Sequence, residues 1–116
     1  MAFADAPRVA ASILAATRAT WAVVTGGAGG ALALGENGQV SAPAFPVPVR
    51  HTHCAGAAFS GGLVYGLLQG GQMDTCLMLA CASGALRCER AHHEPMPTLN
   101  ELHAVIGSRD RAGSAA

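Results

Sequence analysis

The sequence predicts one α/β domain in which short strands are followed by helices, and three patterns predict it. The β-rich run Trp21 to Thr25 ends in Gly26-Gly27-Ala28-Gly29-Gly30 and is answered by Ala31 to Leu34, which reads as strand, glycine turn, strand. Two blocks rich in Ala, Gly and Leu, 57–69 and 75–88, have helical length and are separated by Gly70-Gly71, a pair suited to a helix C-terminus. The 116 residues are enough for one hydrophobic core and too few for two. The expected organisation is a single domain over 1–107 and a flexible tail over 108–116.

Taken in order, Asp5 and Pro7 mark the start of a first helix running to about Arg18, with Val9, Ile13, Leu14 and Thr17 on one face. The two strands around the glycine turn come next, then a second turn at Gly35-Glu-Asn-Gly38. Residues 39–49 carry Pro43, Pro46 and Pro48, so they are extended and restricted to an edge strand or a crossing loop. After a turn at 50–56, the second helix covers 57–69. Asp74 is placed to cap a third over 75–88, on which Leu77, Ala80, Cys81, Gly84, Ala85 and Cys88 form one stripe. Pro95-Met-Pro97 interrupts the chain. Thr98 with Glu101 then matches the capping box that opens a last helix to about Ile106.

Composition excludes several roles. Seven arginines balance seven acidic residues and lysine is absent, so no basic surface is available for gripping a phosphate backbone. Nucleic acid is therefore not an expected partner. The longest apolar stretch, 55–68, is broken by glycines and is shorter than the ~20 residues of a membrane span, so no membrane association is expected. The hydrophobic 51% includes 25 alanines against five aromatic rings, and the core they build is thin. Four cysteines without a CxxC pair or a secretory leader suit reduced thiols and a cytoplasmic setting. His51, His53, Cys54, Cys76, Cys81, Cys88 and His92-His93 would suit zinc if four converged, but their spacing does not favour it, and no metal site is expected.

A glycine turn between strands, a proline-rich extension and a helix opening on Ala55-Gly56-Ala57 together meet the needs of a nucleotide-phosphate site, because backbone N–H groups at a helix start bind anions when nothing bulky shields them. Close helix packing also calls for small residues. Spacing leaves both readings open.

The motifs themselves go further. Thr25-Gly-Gly27-x-x-Gly30, Ala44-Phe-Pro-Val-Pro-Val49, His51-Thr-His-Cys-Ala-Gly-Ala-Ala-Phe-Ser-Gly-Gly62, Tyr65-Gly-Leu-Leu-Gln-Gly70 and the run from Ala85 to Thr98 resemble, in order and spacing, the C-terminal third of ribokinase-like (PfkB) sugar kinases, ketohexokinase and sulfofructose kinase relatives included. The resemblance implies a partial ribokinase-like fold and ATP-dependent phosphorylation of a sugar hydroxyl. It implies an anion hole at Ala55, Gly56 and Ala57, and a nucleotide site with Thr25, Gly27, Gly30 and Cys81. Magnesium would enter only with the nucleotide.

Departures from the family pattern Asp-Thr-x-Gly-Ala-Gly-Asp-x-Phe matter equally. Its final Asp, the general base, is Ala57 here; its first Asp is His51 and its first Gly is Cys54. No catalytic residue is therefore assigned, and His51 or His53 is a weak substitute base. The family's sugar-binding residues precede the part represented. The resemblance thus implies an impaired kinase with weak ATP or ADP binding, and as partners either a second copy, recruited by the exposed strand near Trp21, or a separate N-terminal kinase half. The alternative is a non-enzymatic scaffold.

Overall fold

The computed structural model describes residues 3–52, 54–91 and 93–115, without the side chains of Ala28 and of 108–115. After a 3-10 turn at Phe3–Asp5, helix α1 spans Ala6–Ala16. Strands β1 (Trp21–Thr25), β2 (Ala31–Gly35) and β3 (Gly38–Ala42) follow as an antiparallel meander in the order β1-β2-β3. Its register places Trp21 opposite Gly35 and Thr25 opposite Ala31, then Ala31 opposite Ala42. Three helices complete the chain: α2 (Ala55–Leu68), α3 (Met73–Glu89) and α4 (Leu99–Ala115). Strands followed by helices is the predicted order.

Side-chain alternation across the pleat gives the sheet two buried faces. Ala22, Val24 and Leu32 meet Ala6 and Ala10 of α1, whereas Ala31, Ala33 and Ala42 meet α3. Alanine on both faces lets helices approach the sheet closely at the cost of little buried area per residue. The central core gathers Cys76, Leu77, Ala82 and Leu86 of α3 with Phe45 and Leu102. Helix α2 lies against α3 through glycine: a Cβ on Gly62 would sit 2.8 Å from the Leu79 carbonyl oxygen, and one on Gly66 2.9 Å from Cys76 Sγ. Among the described residues no helix is long and apolar enough to cross a membrane.

Several local expectations are corrected. Asp5 and Pro7 do mark the start of α1, with Asp5 at the N-cap position; it makes no capping hydrogen bond and pairs with Arg8 at 3.3 Å. The buried face of α1 is Ala6 and Ala10 flanked by Val9 and Leu14, while Ile13 and Thr17 are exposed. Asp74 is not the cap of α3, because its Oδ1 accepts from its neighbour Thr75 N–H at 2.8 Å inside the first turn and Gln72 occupies the N-cap position. Leu67, on the predicted second helix, is 47% exposed despite its apolar side chain. The apolar face of β1 is covered by α1, which leaves its outer edge open among the described residues. Helix α4 does open on the capping box. Thr98 N–H donates to Glu101 Oε1 at 3.1 Å and Glu101 N–H to Thr98 Oγ1 at 3.3 Å, and Arg90 at the end of α3 pairs with the same carboxylate. The helix passes the end expected near Ile106 and continues to Ala115, in keeping with the Arg and Ala of 109–112, which are good helix formers.

Candidate functional site

Beyond β3 the chain cannot continue in the sheet, since Pro43, Pro46 and Pro48 withdraw ladder donors. It forms a strap anchored by buried Phe45 and, at its far end, by Arg50 N–H donating to Cys88 O at 2.8 Å. Strap, glycine turn and helices enclose a cleft of about 540 Å³. Thr25, Gly27 and Gly30 form one rim, Ala55 and Gly56 the opposite one, and Cys81, Gly84, Ala85 and Cys88 the wall. Four of the six residues of the predicted α3 stripe are therefore cleft lining.

The glycine turn has a defined shape. Gly26 N–H donates to Gly30 O at 2.8 Å, and Gly29 N–H returns to Gly26 O at 2.9 Å. Gly30 has φ 92°, and a Cβ there would lie 2.2 Å from Ala42 O, so only glycine lets β3 and the turn meet. Gly27, also at positive φ, faces open space. A ligand can approach the Gly27 backbone without meeting a side chain.

Across the cleft, α2 begins without a side-chain cap. Ala55 N–H donates to Thr52 O at 3.3 Å and Ala58 N–H to Cys54 O at 2.9 Å. A Cβ at Gly56 would touch nothing within 4 Å. The positive end of the helix dipole thus lies beside the cleft with no side-chain cap over it. Cys54, immediately before α2, has φ 63°, the left-handed region that accounts for glycine in the family pattern.

Six of the seven predicted site residues, Thr25, Gly27, Gly30, Ala55, Gly56 and Cys81, line this one cleft. Ala57 is exposed and lines a separate hollow of about 270 Å³ between α2, α3 and α4, together with Gly61, Tyr65, Ser83 and Met96. It sits one residue past Gly56, where the helix turns away. Cys81 is buried, with its thiol 4.0 Å from Ala42 O. The sequence reading missed the strap residues Phe45, Val47 and Val49 as cleft walls; the proline spacing signalled an extended segment but not its position.

Among the described residues no charged side chain lines the cleft, so an anion held by them relies on backbone donors. His51 is held at the end of α3 by its N–H to Cys88 O at 3.4 Å. His53 and His92 lie outside the described residues, and among the described residues no three His, Cys, Asp or Glu side chains gather as a metal set.

Comparison with known proteins identifies this architecture. Residues 4–99 match the pfkB family carbohydrate kinases. A 5-dehydro-2-deoxygluconokinase from Bacillus subtilis (strain 168) is 30% identical over 86 residues, 72% of this chain and 26% of that protein. A nucleoside kinase of Burkholderia thailandensis superposes with a TM-score of 0.69 at 33% identity over 77% of this chain and 30% of its own. Phosphofructokinase-2 of Escherichia coli, at 19% identity, shares the fold with a TM-score of 0.79 over 92% of this chain and 34% of its own. The chain thus spans about a quarter to a third of these relatives. It belongs to the pfkB family of carbohydrate kinases.

Proposed function

We propose that this chain forms the nucleotide-phosphate side of a PfkB kinase fold, binding ADP or ATP weakly and transferring no phosphoryl group by itself. The observation that carries this reading is the start of α2 at Ala55 and Gly56, without a side-chain cap, beside a cleft whose other rim is the side-chain-free backbone of Gly27. In such a cleft the strap and the α3 wall offer apolar surface to a flat base, and the start of α2 offers partial positive charge to a phosphate. Magnesium arrives with the nucleotide and would neutralise phosphate charge that no side chain of the cleft meets. Thr25 would orient the nucleotide from β1, and Cys81 would bound its depth.

Ala57 carries the other half of the proposal. A methyl group accepts no proton from an attacking hydroxyl, and general-base assistance is worth about 10²–10⁴-fold. The chain also spans only part of its relatives, and a sugar pocket would draw on the remaining part of the fold, in a cytoplasmic setting that keeps the four thiols reduced.

The test is titration with ADP by calorimetry and by NMR shift mapping. Binding that rests on backbone donors should give a dissociation constant on the order of 0.1–1 mM, about −4 to −5.5 kcal/mol. Shifts should centre on Thr25, Gly27 and Gly56, and Gly56→Val should weaken them by blocking the anion's approach. Absence of any change there at millimolar ADP refutes the reading in favour of a scaffold.

A further inference from the structure

The glycines of the turn at 26–30 divide by what they face. Gly27 and Gly30 line the cleft. Gly26 and Gly29 instead abut the ring of Phe3, the residue that opens the 3-10 turn before α1. A Cβ built on Gly26 would lie 2.2 Å from Phe3 Cδ2 and 2.8 Å from its Cγ, and one on Gly29 would lie 2.9 Å from the same Cγ. The ring is half-buried and rests in turn on the small core of Ala6, Ala10, Ala22, Val24 and Leu32. One side chain therefore mounts the back of the turn on the packed junction of α1 with the sheet, and leaves its front to the cleft.

We infer that Phe3 is a positioning residue for the cleft: acting through Gly26 and Gly29, its ring holds the turn in the shape that presents the Gly27 backbone to a bound phosphate. The inference rests on the reading of the cleft as a nucleotide-phosphate site. Phe3 does not line the cleft; it acts from behind the turn. Four of the five residues in the turn are glycine, and glycine loses more conformational freedom on being ordered than any other residue. A turn left loose would be ordered by the ligand, at the expense of affinity, whereas a turn already ordered by the ring binds without that loss.

Two observations favour this role over plain packing. Gly26 has φ −129°, and Gly29 is not among the glycines with positive φ, so dihedral angles alone would admit a side chain at either position. It is the ring that forbids one. The same two residues also close the turn, Gly26 N–H donating to Gly30 O and Gly29 N–H to Gly26 O, and an apolar ring against them shields those bonds from competing water.

NMR titration with ADP and amide hydrogen exchange on the 116-residue chain test the inference, with every variant compared at a temperature where circular dichroism shows it folded. Phe3→Ala should weaken ADP binding about 5- to 30-fold, the ratio that two newly freed glycines impose. In the ligand-free protein it should also speed exchange selectively at the Gly26, Gly29 and Gly30 amides. Phe3→Leu keeps bulk against both glycines and should recover most of the affinity; Phe3→Val, a milder truncation, takes the place of Phe3→Ala if the latter does not fold. Leu14→Ala is the control. Leu14 packs on the same small core but is not among the atoms nearest Gly26 or Gly29, so its loss should lower stability and leave both ADP affinity and exchange in the turn unchanged. A truncated Phe3 variant that binds ADP as tightly as the wild type, or a Leu14→Ala variant that loses as much affinity, overturns the inference and leaves the nucleotide reading standing. A wild type that binds no ADP overturns that reading and this inference with it.

Discussion

Replacing Cys54 by glycine should make the protein more stable. Cys54 sits at φ 63° and ψ 11°, and among the described residues it is the one non-glycine residue at positive φ. A side chain in the left-handed region costs roughly 1–2 kcal/mol from the clash of Cβ with the backbone. Glycine escapes that cost but loses about 0.5–1 kcal/mol more conformational freedom on folding. The thiol is exposed and makes no capping hydrogen bond, so little else is lost. The net gain is therefore about 0.5–1 kcal/mol, or roughly 2–5 °C in Tm for a domain of this size. Urea and thermal unfolding of the wild type, Cys54→Gly and Cys54→Ala measure it. Alanine keeps the Cβ and removes the thiol, so it should gain nothing. A Cys54→Ala variant as stable as Cys54→Gly, or a destabilised Cys54→Gly, would refute the argument from backbone strain.

Three further outcomes follow from the geometry. Gly62→Ala should cost about 1–2 kcal/mol, because its Cβ would meet the α3 backbone at 2.8 Å and overpacking outweighs the gain in helix propensity; Gly56→Ala, with open space around it, should cost nothing, as urea midpoints will show. Cys76 is fully buried, and burial chiefly raises its thiol pKa, with a backbone hydrogen bond opposing and the Asp74 charge adding to the rise. Since the unfolded thiol ionises first, this contribution is intact below pH ~8.5 and stability falls as pH rises past that value; equal alkaline slopes for the wild type and Cys76→Ala would contradict it. Ala57→Asp should leave the isolated chain without sugar kinase activity across a panel of ketoses and aldoses, because a base without a positioned hydroxyl contributes little, and turnover above a no-enzyme control would show that more of the site is assembled than Ala57's separate hollow implies.

The elements that could be read from the sequence were those set by local chemistry. Thr98 and Glu101 announce their capping box by spacing alone, and the glycines at 26–30 announce a turn because few other residues tolerate its dihedral angles. What could not be read was set by the neighbour across the space. Gly56 and Gly62 are alike as letters, yet one faces a cleft and the other meets the carbonyl of Leu79. Leu63 and Leu67 share a helix and a hydrophobicity, but only the first turns towards α3. Likewise Gly56 and Ala57 adjoin in the sequence, whereas a rotation of 100° per residue sets their Cβ positions towards different cavities.

Phe3 ties the opening residues of the chain to the cleft. Its ring occupies the space a side chain would take at two turn positions: a Cβ on Gly26 would lie 2.2 Å from the ring and one on Gly29 2.9 Å. The sizes of the side chains at these three positions are therefore sterically coupled. Enlarging residue 26 is admissible only after residue 3 has shrunk, so Gly26→Ala and Phe3→Ala should be far from additive in a double-mutant cycle, the pair less damaging than the sum of the two single changes. A lineage that loses the aromatic ring is released to fill the turn with side chains, and with that freedom goes the bare backbone on which any phosphate contact at Gly27 depends.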